Sequence, residues 1–390
     1  MQLKRDSGRE AARSLGPAPR VAMVGAGQLA RMTHQAAIDL GVELTVLAGD
    51  PDDAAVRAGA RAVIGNSSDL TALEELAGDA DVVTFDHENA PTALLESLEA
   101  RGVKLVPGPA AMLLAQDKLH ARRELRRRGF PVPPFAEART VGEVEEFASR
   151  HGWPVIAKAP RGGYDGRGVA TLAAATEAQE LLDQSPDGLL LEPKLAIDRE
   201  LAVLVARSTN GESACYPVVE TVQRDAMCRE VLVPAPVDQD LAEKAAAIAL
   251  EITDLPGAAG VIAVELFVVD GSLLVNELAF RPHNSGHFTI EGAETSQFEQ
   301  HLRGVLGWPL GDTSLTAPAV AMVNVVGQSD RSDPREKLPR ALAEPGVHVH
   351  LYGKLPAPGR KLGHVTVRSQ QLDTAREAAQ RAAAILEGEA

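Results

Sequence analysis

Glu265 and Glu277 flank an Asp-Gly turn. In "VELFVVDGSLLVNEL", two apolar runs of period two meet at Asp270 and Gly271, and Asp-Gly between alternating strands predicts a hairpin. A strict two-residue turn would set Glu265 opposite Asn276; one extra loop residue would set it opposite Glu277. In the second register two carboxylates about 4 Å apart repel by about 4 kcal/mol at an effective dielectric near 20. A hard cation would cancel that cost, and Mg2+ commonly takes one or two carboxylates together with substrate phosphates. The plainer alternative leaves one glutamate on a solvated face. Directly downstream, "RPHNSGH" brings Arg281, His283, Asn284, Ser285 and His287 into seven residues, a donor density suited to a phosphate or carboxylate.

Two glycine motifs point to phosphate as well. "RGGYDGRGV" (residues 161–169) follows the apolar run that ends at Lys158. Glycine is costly to order, so such a cluster marks a turn or a close approach to backbone. A strand-end lysine aimed at it can grip nucleotide phosphates, or simply snorkel to solvent. The spacing is not that of a P-loop. "VGAGQLA" carries Gly25, Gly27 and Ala30 in G-x-G-x-x-A spacing, with Asp50 after the next apolar run. That fits a dinucleotide cofactor, another phosphorylated ligand at the helix start, or a ligand-free tight turn. "YGKLPAPGRKLGH" adds Lys354, Arg360 and Lys361, a basic cluster on an acidic chain. His348 and His350 would share a strand face, but no third metal ligand is evident beside them. There is no G-x-S-x-G elbow, and neither Cys215 nor Cys228 has an adjacent base, so nucleophilic hydrolysis is disfavoured.

The elements that must position these groups alternate. From Val21, apolar runs "VAMVG", "VELTVLAGD", "RAVIG", "DVVTF" and "VKLVPG" are interleaved with helical stretches, the pattern of a parallel sheet. Residues 20–117 thus predict a Rossmann-like α/β unit. Residues 118–310 predict a second unit, with a small subdomain over about 125–200 and an antiparallel sheet over about 200–310. Residues 311–390 predict a small third unit closed by a helix, and residues 1–19 a disordered extension. With 390 residues two or three domains fit. A net charge of −15 argues against nucleic acid as partner. No apolar run is long enough to span a membrane, the start lacks a secretory h-region, and two cysteines make no disulfide framework. A cytoplasmic, small-molecule-directed protein is expected.

In order along the chain, Lys158, the glycine loop, "LEPKLAIDRELAVLVAR", "AVELF" and "NELAFRPHNSGH" resemble the ATP-grasp ligases. With "GQLARM", "VTFDHEN", "YPVVETVQRD", "SQFEQHLR" and "PGRKLGH", the chain is more narrowly similar to the carboxyaminoimidazole ribonucleotide synthase family of purine biosynthesis, over about residues 20–370. The resemblance implies an ATP-grasp fold with a Rossmann-like pre-ATP-grasp domain and a small C-terminal domain. It also implies a homodimer that uses ATP, bicarbonate and 5-aminoimidazole ribonucleotide through carboxyphosphate. ATP would lie among Lys118, Lys158, Gly163, Tyr164, Asp165, Gly166, Arg167, Gly168, Glu192, Pro193, Lys194, Leu195, Glu200, Gln223, Asn276 and Glu277, with Mg2+, or Mn2+ in its place, on Glu265 and Glu277. The ribonucleotide and bicarbonate would meet Gly27, Gln28, Leu29, Glu88, Tyr164, Asp165, Arg281, His283, Asn284, Ser285, Lys354, Arg360 and Lys361. Asp165, Arg281 and Lys361 would be catalytic, Asp165 as proton acceptor for the attacking amine. The resemblance gives the first glycine motif a ribose phosphate, so Asp50 needs no ribose role. Some positions depart from the family pattern: Lys118 stands where arginine is common, "FDHEN" varies "FEIEN", Gln223 replaces a histidine of some members, Phe280 a common proline, and Pro193 lacks a backbone donor for adenine.

Overall fold

In the computed structural model, residues 17–162 and 168–389 are described. The N-terminal sheet is parallel, in the spatial order Arg61–Ile64, Glu43–Ala48, Arg20–Val24, Val82–Phe85. Its central strand is buried on both faces from Val21 to Val24, which is why it reads as a continuous apolar run. Helix Gln28–Leu40 starts directly at the end of that strand, so the glycine motif sits at the carboxyl edge of the sheet.

The lid is a four-stranded antiparallel sheet ordered Ala136–Ala138, Leu189–Pro193, Val155–Lys158, Val169–Leu172. Helix Val141–His151 covers it, begun by a capping box between Thr140 and Glu143. Such a box satisfies two otherwise orphaned amides.

The third sheet has nine strands, eight in one continuous order and the short Ser213–Cys215 paired beside Arg199–Arg207. Hairpin Gly260–Val269 and Ser272–Ala279 forms one edge and Arg199–Arg207 lies next to it. Leu201 to Ala206 are all fully buried. Leu201, Val203 and Val205 pack against helix Gln239–Ile252, while Leu204 packs on the opposite face with Tyr216, the two-residue alternation of a strand covered on both sides. Val219–Arg224 and Met227–Val233 follow. Ala319–Val326 then pairs with Met227–Val233 through Glu230↔Val323, Val231↔Met322, Leu232↔Ala321 and Val233↔Val320, and Lys361–Ser369 and Val347–Leu351 complete the order. The C-terminal strands therefore extend the central sheet instead of forming one of their own. Helix Leu372–Glu387 lays Ala375, Ala379, Ala382, Ala383 and Leu386 on this extension, small side chains that let helix and sheet approach closely. Among the described residues no helix is long and apolar enough to cross a membrane.

Candidate active site

The hairpin carries the first part of the site. Asp270 and Gly271 form a strict two-residue turn, with φ of 48° and 71°, the left-handed pair that such a turn requires. Val269 faces Ser272 and Leu266 faces Val275, yet Glu265 faces Glu277. The extra residue that the glutamate pairing needs is thus in the strand and not in the loop: Asn276 is a β-bulge. A bulge re-aims side chains locally while leaving the rest of the ladder in register. Asn276 then donates from Nδ2 to Glu265 Oε2 at 3.2 Å, and its carbonyl accepts from Arg122 at 2.6 Å.

Burial first, then the charges of Glu277 and Glu200, push the Glu265 carboxyl up to about 8. A divalent cation between the two carboxylates would relieve that repulsion. Among the described residues no cluster of three or more His, Cys, Asp or Glu could hold a metal, so the donor set is two hard carboxylates. That fits Mg2+, which completes its shell with phosphates and water. His283 faces Glu265 Oε1 at 3.5 Å. Its Nδ1 accepts from the Ser285 amide at 3.3 Å, so the ring proton sits on Nε2, toward the glutamate. Burial, then Arg281 and Lys361, depress His283 to about 3, so the ring that faces the carboxylate is neutral and stands beyond hydrogen-bond distance. Lys118 Nζ donates to Glu277 Oε1 at 3.2 Å.

On the lid side, Glu192 is buried and binds two cations, Arg122 Nε and Lys158 Nζ, each at 2.6 Å. Their charges hold its carboxyl below the usual range against the opposing effect of burial. Glu192, expected beside ATP, is therefore engaged as an anchor for two cations. Arg122 lies in "HARRELRRR", which reads as a solvated charge run, and only the fold shows that this one arginine points inward. Lys158, Arg122, Lys118, Asn276 and Glu277 line a small cavity. Glu200 is pushed up by burial, opposed by a hydrogen bond with Gln223 and by the charge of Lys158. Pro193 pairs with Val155 in the lid sheet, the Lys194 amide donates to the Pro154 carbonyl, and Leu195 follows just beyond the strand. The base of the glycine loop is fixed by Lys118 N–H to Pro160 O at 2.8 Å, Ala159 N–H to Gly168 O at 3.0 Å and Arg161 Nε to Asp117 Oδ2 at 3.2 Å. Gly163, Tyr164, Asp165, Gly166 and Arg167 lie outside the described residues, as do residues 1–16.

Where the three units meet, a cleft of about 1230 Å³ opens. It is lined by Gly25 to Leu29, by Glu88, Lys118 and Arg161, by Glu265, Glu277, Arg281, His283 and Asn284, and by Lys354, Arg360 and Lys361. Lys118 and Glu277 also belong to the small cavity, so the carboxylate pair stands at the junction of the two spaces.

The helix start holds a group that sequence reading missed. Asp86, at the end of strand Val82–Phe85, accepts from the Gly27 amide at 2.7 Å, and the Ala30 amide also favours its charged form. Burial pushes its carboxyl up. A Cβ on Gly25, whose φ is 105°, would lie 1.7 Å from Asp86 Oδ1. Two first-turn amides are thereby directed to the protein's own carboxylate, and an incoming phosphate is left the turn at Gln28 and Leu29. Asp50, the dinucleotide candidate, accepts from the Asp52 amide and does not line the cleft.

Glu88 pairs with Arg281 Nε at 2.6 Å. Lys354 Nζ donates to Gln28 Oε1 at 2.6 Å, tying the C-terminal loop to the first helix. Arg360 is exposed and donates to Leu355 O. Two expected contacts are otherwise occupied. Asn284 exchanges amide hydrogen bonds with Asn324 at 3.0 and 2.8 Å, although it reaches the cleft. Ser285 is buried with its hydroxyl 2.8 Å from His283 Nδ1 and does not line the cleft. His350 stacks on His364 and contacts Glu291 at 2.5 Å, a side-chain bond and not a metal site.

A pre-ATP-grasp sheet, an antiparallel lid and a carboxylate-bearing sheet closing on one cleft define an ATP-grasp ligase. Family models match in the same order: the ribonucleotide synthetase preATP-grasp domain at residues 19–116, the ATP-grasp domain at 123–298 and the phosphoribosylaminoimidazole carboxylase C-terminal domain at 320–378. The N5-carboxyaminoimidazole ribonucleotide synthase of Mycobacterium tuberculosis is 51% identical over 356 residues, 89% of this chain and 83% of that one. The synthetase structure from Thermus thermophilus superposes with a TM-score of 0.83 at 38% identity, covering 94% and 98% of the two chains. The Aspergillus clavatus synthase in complex with ADP and 5-aminoimidazole ribonucleotide gives 0.87 at 31%, covering 95% and 99%. This chain belongs to the N5-carboxyaminoimidazole ribonucleotide synthase family.

Proposed function

We propose that this enzyme couples ATP and bicarbonate to the carboxylation of 5-aminoimidazole ribonucleotide on its exocyclic amine, through carboxyphosphate. The observation that carries this reading is the single cleft that joins a nucleotide-type carboxylate pair to the cations of two other units. ATP lies between lid and central sheet, with Lys158 and Arg122 held in place by Glu192 and with Lys118, Glu200, Gln223 and Asn276 around it. A Mg2+ on Glu265 and Glu277 would supply neutralisation of the phosphate charge. Asn276 donates to one oxygen of the Glu265 carboxylate, and the neutral His283 ring faces the other.

The ribonucleotide phosphate sits at the start of helix Gln28–Leu40, near Lys354, Arg360 and Lys361. Arg281, fixed by Glu88, holds the bicarbonate-derived group. Phosphoryl transfer of this kind needs mainly positioning and charge stabilisation. Carboxyphosphate hydrolyses readily, so both half-reactions share one water-excluding space. Residues 163–167 belong to the segment assigned to cover it, with Tyr164 at the ribonucleotide and Asp165 as base for the amine proton. A homodimer and a cytoplasmic location are part of the same reading, and sedimentation at working concentration checks the first.

Phosphate release from ATP plus bicarbonate, with and without 5-aminoimidazole ribonucleotide, tests the reaction. Stimulation by the ribonucleotide with stoichiometric carboxylated product is expected. ATP turnover indifferent to both bicarbonate and the ribonucleotide would refute it.

A further inference from the structure

His287 is fully buried behind Gln28, which lines the cleft, and both its ring nitrogens face side-chain NH2 groups. Gln297 Nε2 is 3.0 Å from Nδ1, and Gln28 Nε2 is 3.3 Å from Nε2. A neutral imidazole has one donor and one acceptor, so it can accept from only one of them. Burial, with the cations nearby, holds His287 far below its ordinary value, and the ring stays neutral.

Gln297 cannot be the group that turns. Its Oε1 accepts from the His283 amide and its Nε2 donates to the His283 carbonyl, both at 2.8 Å. Turning that amide would break two backbone hydrogen bonds in a buried site, where each orphaned group costs more than the bond gained. His287 Nδ1 therefore accepts from Gln297, and its proton lies on Nε2, facing Gln28. Gln28 must offer Oε1 to satisfy it, yet that oxygen is engaged by Lys354 Nζ at 2.6 Å. One carbonyl oxygen is thus claimed from two directions.

We propose that the Gln28 amide has two positions, and that His287, set by Gln297, positions it for the ribonucleotide phosphate. Without the anion, Oε1 caps Lys354. With it, Lys354 turns to the phosphate, Oε1 takes the His287 proton, and Nε2 becomes a third donor beside the amides of Gln28 and Leu29. His287 touches no reacting atom; it reads the anion through the glutamine. The idea rests on the assignment of the phosphate to this helix start.

Two measurements test it. In 15N-histidine-labelled wild-type protein, His287 should be protonated on Nε2 with and without inorganic phosphate or the ribonucleotide. Protonation on Nδ1 would overturn the proposal whatever the reaction proves to be. In kinetics, His287→Leu removes the donor, whereas His287→Gln keeps an NH2 near the place of Nε2. The leucine variant should raise KM for the ribonucleotide about 10-fold or more, the worth of one lost hydrogen bond with its partner left unsatisfied. KM for ATP and kcat should move less than about two-fold, and His287→Gln should restore KM to within about three-fold of wild type. Equal losses in both variants, or a parallel rise in KM for ATP, would reduce His287 to packing and refute the proposal. If the leucine variant does not fold, the tautomer and the glutamine variant still decide. Absence of ribonucleotide-stimulated turnover in the wild type would instead sink the reaction assignment and leave the tautomer result standing.

Discussion

Glu192→Gln is the most informative single change in the ATP half of the site. The carboxylate has two cations at 2.6 Å, and its own side chain and that of Arg122 are each only 4% exposed, with Lys158 at 13%. At about 3 Å and an effective dielectric of 20, each pair attracts by roughly 5 kcal/mol before desolvation is counted. Desolvation cancels much of this, and breaking such a buried pair costs about 3–5 kcal/mol because the partner charge is left uncompensated. Glutamine fills the same space and keeps an oxygen, so no cavity contributes. What remains is Arg122 facing Lys158 across a neutral amide. Denaturant titration should show a loss of about 3 kcal/mol or more, and a scan a melting point lower by roughly 4 °C. Both cations would swing away from each other, and KM for ATP should rise about 10-fold or more. A variant within about 1 kcal/mol of wild type, with KM for ATP within about two-fold, would show that Glu192 does not organise the phosphate grip.

His301 joins two units, with Nδ1 accepting from the Val261 amide at 3.0 Å and Nε2 facing Thr84 Oγ1 at 2.8 Å. Burial depresses it to about 3, against about 6.5 unfolded, so its stabilisation is complete above pH 6.5 and is lost as pH falls toward 3 at about 1.4 kcal/mol per unit. Urea titrations at pH 6.5 and 4.5 should therefore differ by about 2 kcal/mol less in His301→Gln than in wild type; an identical difference in the two proteins would exclude the effect. Gly25→Ala should cost about 3 kcal/mol or more, combining a strained positive φ with a collision at Asp86, and should raise KM for the ribonucleotide; wild-type stability by calorimetry would contradict the crowding. Asp165→Asn should abolish carboxylated product while ATP binding by calorimetry is kept; normal turnover would remove Asp165 from the chemistry.

Much of this architecture is legible in local pattern. The apolar run around Val21 declares a parallel strand and Asp270-Gly271 declares its hairpin, while the run around Leu201 reads as antiparallel strand and only the fold shows it covered on both faces. The glutamate pairing is visible in the sequence as one of two registers, but its cause is not, because a bulge at Asn276 depends on how the strand packs and not on the turn that precedes it. Arg122 and Asp86 escape sequence reading for a related reason. One sits in a run of charges whose inward member is chosen by helix phase, and the other becomes a helix cap only when two strand ends lie side by side. The motif around Ser285 and Asn284 divides once folded in a way its sequence does not show: Asn284 reaches the cleft while bonded to Asn324, and Ser285 is buried against His283. The links among Gln28, His287, Gln297 and Lys354 span 326 residues of chain, beyond any local signal.

The Glu230↔Val323 seam has a bearing on modular exchange. Because the C-terminal unit continues the central sheet through four consecutive ladder pairs, its loop bearing Lys354 is tied to the glutamate hairpin through one continuous hydrogen-bonded sheet. A chimera that grafts this unit from another ligase would have to reproduce that ladder strand for strand. A cut near residue 311 would bare the edge of Met227–Val233, an open template for misassembly.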